Sequence, residues 1–212
     1  MANRFAEIAF TPQVRAIQER MGSRPRYARF DEGPLDHDRL GEPEAAFVAT
    51  RDSFYIATVS ATGWPQLQHR GGPAGFVRIL GERLIGFADF SGNRQYITVG
   101  NLATNDRVAL FFMDYQSRSR LKLLGHARAI DPEAETRTMA ALALPEYKAK
   151  VERGILVAVE AFSWNCSQHI TPRYTEQDVA AAIVPLRRRL EELEAETARL
   201  ADRLRAAGIE HG

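Results

Sequence analysis

The chain has 212 residues, of which 45% are apolar and 26% charged, with a formal net charge of +1 and an isoelectric point near 7.9. This composition is typical of a globular protein with one core, and the balanced charge argues against nucleic acid and anionic membranes as partners. Because the single cysteine, Cys166, cannot form an internal disulfide and no signal peptide or bilayer-length apolar stretch is evident, we expect a cytoplasmic protein.

Residues 1–41 are predicted to form a helix followed by an arm. Thr11 and Pro12 are a favourable cap and first-turn pair, and apolar residues at helical spacing then continue to Gly22. The stretch 23–43 is rich in Arg, Asp, Gly and Pro, which predicts an ordered arm and not a second domain. A second short helix is predicted over 43–51.

Residues 42–177 predict an antiparallel split β-barrel with flanking helices. The first strand is β-branched and aromatic, and a turn containing Gly63 and Pro65 ends it. Tight turns and short helices, predicted over 93–103 and 132–143, separate the strands, which favours a barrel over a doubly wound sheet. The predicted strands cover residues 54–59, 66–70, 76–80, 83–88, 107–113, 121–130 and 155–163. The phenylalanines expected in the core are Phe87, Phe90, Phe111 and Phe112.

Residues 178–212 predict a coiled-coil helix that pairs with a second copy. Its leucine-rich seam has spacings of three and four, with Arg and Glu on the other faces. In a parallel, in-register dimer, Arg189 would face Glu194 of the other helix, whereas Thr197 weakens the seam. Packing on its own barrel is the alternative. The seam consists of Ile183, Leu186, Leu190, Leu193, Thr197, Leu200, Leu204 and Ala207.

The run 86–97 predicts an anion-binding site. A strand-like segment breaks at Ser91-Gly92 and is expected to restart as a helix with Arg94 in its first turn. Such a junction aims backbone N–H groups and the positive end of the helix dipole at one point, and the arginine adds charged donors suited to phosphate. A structural ion pair of Arg94 with Asp89 or Asp106 is the alternative.

Two further segments carry polar chemistry. In 66–73 polar side chains alternate along a strand and end at a Gly-Gly pair that allows close approach of a ligand. In 164–173 polar and aromatic residues follow an apolar strand. Cys166 and His169 imitate a nucleophile and its base, but a small buried thiol is the commoner outcome. No metal site is predicted, because neither His126 nor His169 has partners at ligand spacing.

Three phrases in this order, QHRGGP, FADFSGNRQY and WNC-x-QHITPR, resemble the FMN-binding split barrel of the pyridoxamine 5'-phosphate oxidase-related family. The resemblance covers about residues 42–173 and is greatest to a subgroup of flavin-nucleotide-binding proteins. It implies FMN as cofactor, held at the interface of a homodimer to which both chains contribute. A small molecule is the implied substrate.

The resemblance also assigns cofactor-binding roles by position. Arg94 matches the arginine that binds the FMN phosphate, and Gln95 replaces a family lysine. Arg120, or Lys122 if the register differs by two, matches a position near the flavin pyrimidine, where a cation would stabilise reduced flavin. The implied site residues are Gln68, His69, Arg70, Gly71, Ala88, Asp89, Asn93, Arg94, Gln95, Arg120 and Lys122, with Trp164, Asn165, Gln168 and His169 contributed by the second chain.

Two departures argue against authentic pyridoxamine 5'-phosphate oxidase activity. The Arg-x-His segment that holds pyridoxine phosphate is replaced by the predicted coiled coil, and Pro73 stands where the family has a lysine. The sequence therefore predicts an FMN-dependent oxidoreductase with an unknown small organic substrate and unassigned catalytic residues. The alternatives are a non-catalytic flavin-binding, sensor or interaction module, and a related barrel that binds deazaflavin or haem.

Overall fold

The computed structural model describes residues 2–207, and the chain divides into two compact units, Met1–His169 and Ile170–Gly212. Within residues 2–207, the first unit contains nine strands and six helices, and the second contains one long helix. Met1, from the predicted arm, and residues 208–212, from the predicted coiled coil, lie outside the described residues. The three-part division of the sequence stays a prediction.

The N-terminal segment contains more regular structure than the sequence predicted. Asn3 caps the first helix, with its side-chain oxygen accepting a 2.9 Å bond from the Ala6 N–H. Thr11 caps the next helix, which is the N-terminal helix that the sequence predicted. The two short strands of this segment pair in parallel, which ties the arm back to the start of the chain. The elements are β1 (Ala2–Asn3), α1 (Arg4–Ala9), α2 (Pro12–Arg20), α3 (Arg24–Ala28) and β2 (Leu35–Asp36).

All seven predicted barrel strands are present and form one antiparallel sheet. They are β3 (Ser53–Val59), β4 (Pro65–Gly71), β5 (Val77–Gly81), β6 (Leu84–Phe90), β7 (Arg107–Asp114), β8 (Ser119–Ile130) and β9 (Val151–Trp164), preceded by α4 (Glu42–Ala49). Their order in the sheet is β4-β3-β7-β8-β9-β6-β5. Because β4 and β5 do not pair with each other in the described chain, the barrel is split and its sheet stays open.

Aromatic packing shows how strongly this sheet curves. Strands β3 and β6 are four positions apart, which in a flat sheet would separate them by about 19 Å. The ring centroids of Phe54 on β3 and Phe87 on β6 are nevertheless only 5.1 Å apart. Phe54 also stacks on Phe112 at 5.0 Å. The sheet therefore rolls around a single aromatic and aliphatic core.

The predicted core phenylalanines do not all lie in that core. Phe87 and Phe112 are fully buried, and Phe90 is partly buried against the same cluster. The prediction for Phe111 was wrong, because Phe111 is half-buried and alternates with Leu110 and Phe112, which places it on the opposite face of the sheet.

Two of the predicted helices begin later than expected. The helix predicted over 93–103 is α5 (Ile97–Leu102), because Arg94 and Tyr96 have φ of 58° and 56°, which no right-handed helix accepts. The helix predicted over 132–143 is α6 (Thr136–Leu142). There the Asp131 carboxylate accepts bonds from the N–H groups of Glu133 and Ala134 and forms a turn before the helix.

The second unit consists mainly of α7 (Glu176–Ala206). Thr175 and Asp178 form a capping box at its start. The helix continues through Pro185, which lacks the N–H that would bond to the preceding turn. Within residues 2–207, no helix combines the length and the apolar character needed to cross a membrane.

Candidate functional site

A cavity of about 310 Å³ opens beside β4, the end of β6 and the loop 91–96. Its wall has an apolar part and a polar part. One part is apolar and aromatic, formed by Phe76, Phe87, Phe90, Ile97 and Val99, and the other is polar and carries arginines. A site with an apolar wall and a few convergent polar groups is suited to a ligand that has a flat ring system and a charged end.

The polar part is organised around the buried carboxylate of Asp89. Arg70 donates from Nη1 to Asp89 Oδ1 at 2.6 Å, and Arg153 Nε lies 3.5 Å from the other oxygen. The Asp89 and Arg70 side chains are only 7% and 16% exposed. Burial raises the pKa of Asp89, although both arginines oppose that shift. Arg70 Nε is buried without a protein partner, so one charged donor of this pair remains uncommitted.

The rim of the cavity is a hydrogen-bonded group centred on Glu152. Its carboxylate accepts from Ser91 Oγ at 2.7 Å and from the Tyr96 hydroxyl at 3.4 Å. The bond from Ser91 lowers the pKa of Glu152. A bulge between β6 and β9 accounts for this position, because Asp89 pairs with Arg153 while Phe90 pairs with Val151, which leaves Glu152 as the extra residue.

Arg94 lies at the exposed side of this rim. Its Nε donates to the Tyr96 hydroxyl at 3.0 Å. The expectation that Arg94 occupies the first turn of a helix was wrong, since α5 begins three residues later and is six residues long. The alternative ion pairs are not formed in the described residues, because Asp89 is engaged by Arg70 and Arg153 and Asp106 lies 3.0 Å from His126.

Side-chain hydrogen bonds fix α5 against the barrel. Thr98 Oγ1 donates to Gln68 Oε1 at 2.8 Å, and Asn101 Nδ2 donates to the buried Thr58 hydroxyl at 2.9 Å. Thr58 in turn donates to Gln66 Oε1 at 3.2 Å. The loop that carries Arg94 is therefore attached to a helix that is itself bonded to β3 and β4, which keeps its position defined.

With the cavity described, comparison with known proteins identifies the family. The sequence matches the family model described as pyridoxamine 5'-phosphate oxidase over residues 40–164. The chain belongs to the pyridoxamine 5'-phosphate oxidase family. No curated protein matches the chain.

Three solved bacterial structures are examples of proteins with a similar fold. HupZ of Group A Streptococcus is 14% identical, with 64% of this chain and 99% of that chain covered and a TM-score of 0.46. A candidate pyridoxamine 5'-phosphate oxidase of Lactobacillus delbrueckii is 20% identical, with 59% and 93% covered and a TM-score of 0.45. An FAD binding protein of Mycobacterium smegmatis is 14% identical, with 60% and 96% covered and a TM-score of 0.41.

The cavity brings together eight of the residues that the family resemblance assigned. They are Gln68, His69, Arg70, Gly71, Ala88, Asp89, Asn93 and Arg94. Gln95 is absent from the lining among the described residues, but its N–H bonds to Asn93 Oδ1 at 3.2 Å and so helps to shape the loop. His69 also packs edge-on against Tyr55, with 5.5 Å between ring centroids.

Two cations predicted near the flavin ring lie elsewhere in this chain. Arg120 is the second residue of β8, and its buried Nε has no hydrogen-bond partner among the described residues. Lys122 lies with Nζ 5.0 Å from the ring centroid of Phe5 on α1. Burial lowers the pKa of Lys122, with a smaller contribution from neighbouring Arg120. Neither side chain lines the cavity in the described chain.

The four residues expected to reach the second chain also lie away from the cavity. Trp164 donates from Nε1 to Glu44 at 2.6 Å and packs edge-on against Phe47 at 4.8 Å, while 38% of it stays exposed. Asn165 Oδ1 is buried without a protein partner. The remaining two are Gln168, which is exposed, and His169, which has φ of 61°. Cys166 is exposed, so the expectation of a buried thiol was wrong.

Several cavity residues were not assigned from the sequence. Ser91 and Tyr96 belong to the run 86–97, which was predicted from the sequence to be an anion-binding site. Because hydroxyl groups donate hydrogen bonds to anions, both residues could have been included in that prediction. Phe76 follows the Gly-Gly-Pro turn and was predicted only as part of a strand. Glu152 had no local signal, because its position depends on the bulge that offsets β6 from β9.

Proposed function

We propose that the protein binds FMN in this cavity and uses it to oxidise or reduce a small organic substrate. One observation carries the proposal: the cavity of this family member has an aromatic wall, and beside it lie arginine N–H donors whose hydrogen-bonding capacity the described residues do not use fully. A flavin needs an apolar surface for its ring and charge-assisted donors for its phosphate.

The chemistry of the donors fits a phosphate. Arg94 is exposed at the rim, and among residues 2–207 its one side-chain hydrogen bond goes to the neutral Tyr96 hydroxyl, so its guanidinium charge can be directed to an anion. Arg70 adds the buried and unpartnered Nε. The hydroxyls of Ser91 and Tyr96 can rotate from Glu152 toward a ligand oxygen. These four residues would hold the phosphate.

The remaining lining fits the flavin ring. Gln68, His69 and Gly71 present polar atoms and backbone beside the apolar wall that contains Phe76 and Phe87. An added Cβ at the adjacent Gly72 would lie 2.8 Å from the Phe76 ring, so glycine is needed for Phe76 to occupy its place in the wall. Bound FMN supplies the centre that accepts hydride or electrons. The chain's own residues bind it, orient it and exclude water.

We further propose that a homodimer completes the site. Arg120 Nε and Asn165 Oδ1 are buried without protein partners, and the Asn165 N–H bonds to the Arg120 carbonyl at 3.2 Å, so the two residues are neighbours. Orphaned polar atoms are costly unless a ligand or a partner satisfies them. This pair, together with Trp164, Gln168 and His169, is suited to the cavity of a second copy.

The test compares FMN with riboflavin. The visible spectrum of the purified protein is recorded first, and the Kd of each flavin is then measured by fluorescence titration. We expect Arg94→Ala to weaken FMN binding by about 10- to 100-fold, as loss of a charged hydrogen bond predicts. Riboflavin affinity should not change, because riboflavin has no phosphate. Arg20→Ala, which changes an exposed arginine on α2, is the control. Unchanged FMN affinity in Arg94→Ala would refute the phosphate assignment.

A second candidate function is a flavin-binding module that does not turn over, favoured by the exposed leucines of α7, which offer an interaction surface. The two candidates differ in the fate of reduced flavin. For an oxidoreductase, candidate acceptors added to the reduced protein accelerate its reoxidation in stopped-flow measurements. A yellow protein that no acceptor accelerates is a binding module. A colourless protein that ignores FMN but takes up deazaflavin or haem would contradict both.

A further inference from the structure

Helix α7 carries an apolar stripe that no other part of the described second unit covers. Its leucines follow the three-and-four spacing of a coiled-coil seam, and Leu186 and Leu190 are 69% and 56% exposed. Leu193 and Leu200, further along the same stripe, are 43% and 45% exposed. A long helix with such a stripe and charged flanks is typical of one strand of a coiled coil.

We propose that the stripe is covered by a second copy of this chain, in a parallel, in-register, two-stranded coiled coil over residues 186–204. The seam begins at Leu186 and excludes Ile183, because Pro185 lies between them and interrupts the backbone bonding of the preceding turn. The paired segment is about 27 Å long. This proposal does not depend on the flavin site.

Charge at the flanking positions favours the parallel arrangement. With Leu190 at position a, Arg189 is at g and Glu194 is at e, so a parallel dimer forms the Arg189–Glu194 pair twice, once on each side. Arg189 now bonds to Glu192 of its own helix at 3.1 Å. When Arg189 turns to the second helix, Glu192 still has Arg188, 3.9 Å away.

The antiparallel arrangement is disfavoured by the same positions. In the antiparallel register that overlaps the seam fully, Leu190 faces Leu200 of the other helix. That register places Arg189 opposite Arg203, and it places Glu194 and Glu196 each opposite its own copy. Like charges in these positions repel, so the sequence itself selects against this orientation.

The residues within the seam are compatible with a coiled coil of two parallel helices. Position d is Leu at 186, 193 and 200, which is compatible with a parallel dimer. The polar Thr197 at position a weakens the seam, but its hydroxyl is not left unsatisfied, because it donates to the Leu193 carbonyl at 2.7 Å within its own helix. In register, Thr197 meets Thr197, and any shifted register places its hydroxyl against leucine.

Disulfide trapping in the full-length protein tests the orientation. In a Cys166→Ser background, Leu190→Cys and Leu200→Cys are each oxidised alone and as a mixture. A parallel dimer gives a disulfide from each variant alone. An antiparallel dimer gives a disulfide only in the mixture and would overturn the proposal. Ala195→Cys, on the outer face of the helix, is the background control. Yields no higher than that control would show that α7 does not pair with itself.

Charge reversal tests the specific pair. We expect Arg189→Glu or Glu194→Arg, introduced into the Leu190→Cys protein, to lower the disulfide yield several-fold at low salt, and the double reversal to restore it. Glu191→Arg makes the same charge change as Glu194→Arg at an exposed position outside the seam and should leave the yield unchanged. Reversals at Arg189 and Glu194 that leave the yield as unchanged as Glu191→Arg does, or a double reversal that does not recover, would overturn the assigned register.

Discussion

Replacing Arg70 with glutamine should destabilise the protein because it leaves a buried carboxylate without its main counter-charge. Asp89 is 7% exposed and accepts a 2.6 Å bond from Arg70. Breaking a buried ion pair by removing one partner costs about 3–5 kcal/mol. Since Arg153 remains 3.5 Å from Asp89 and partly compensates its charge, we expect a cost below this range, about 2–3 kcal/mol. For a chain of this size that corresponds to a fall in Tm of about 5–10 °C.

The loss should depend on pH in a defined direction. Burial raises the pKa of Asp89 in the folded protein above its unfolded value, so the folded state binds the proton more readily. The stability linked to this group is therefore present at low pH and is lost as pH rises through the folded-state pKa. Removing Arg70 removes a positive charge that opposes the shift. The difference in stability between Arg70→Gln and the unaltered protein should therefore be smaller at acidic pH, where Asp89 is protonated, and larger at neutral pH.

Thermal and urea denaturation of the flavin-free protein, followed by circular dichroism, measure this loss. The matched control is Arg128→Gln, which breaks an ion pair of the same 2.6 Å distance whose side chains are 57% and 31% exposed. That change should cost much less than Arg70→Gln, because water screens an exposed ion pair. The double variant Arg70→Gln/Asp89→Asn should recover part of the loss. Equal costs for the two arginines, or a loss at Arg70 that does not vary with pH, would refute the reasoning.

Three further outcomes are expected. Gly125→Ala should lower the free energy of unfolding, measured by urea denaturation, by more than about 3 kcal/mol, because the added Cβ would collide with the backbone carbonyl of the opposite strand. The control is Gly81→Ala, whose added Cβ meets open space. Equal losses for the two variants would contradict this close approach of the strands at Gly125. Glu152→Gln should tighten FMN binding several-fold relative to riboflavin, since it removes a negative charge from the proposed phosphate site; weaker binding of FMN alone would argue that Glu152 positions the donors. Truncation after Asp178 should leave a folded barrel dimer by light scattering, and a monomer would show that α7 is the main subunit contact.

The barrel could be predicted because each strand carries its own signal. In β3, buried Phe54, Ile56 and Thr58 alternate with more exposed residues. The β-branched and aromatic composition of this segment is sufficient to predict a strand from the sequence. The order of the strands in the sheet is not visible in that way. No strand order was predicted from the sequence. The split-barrel fold class followed from a resemblance of three phrases, and the structure has confirmed that fold class.

The loop at the cavity shows where local signals end. The segment after Gly92 is compatible with a helix from Asn93 onward, but Arg94 and Tyr96 adopt left-handed backbone angles that only the surrounding contacts explain. Glu152 was missed for a similar reason. A bulge depends on the pairing of two strands, so the sequence of β9 alone does not show that Glu152 is the extra residue of the bulge.

Phe76 and Phe87 belong at once to the hydrophobic core and to the wall of the cavity, and each is only 1% exposed. A ligand that binds the folded chain there raises the unfolding free energy in proportion to the logarithm of its concentration. Occupancy and fold stability are thus linked quantities in this molecule. A ligand that binds against these two rings should therefore raise the Tm of the protein, and a thermal-shift measurement detects that rise.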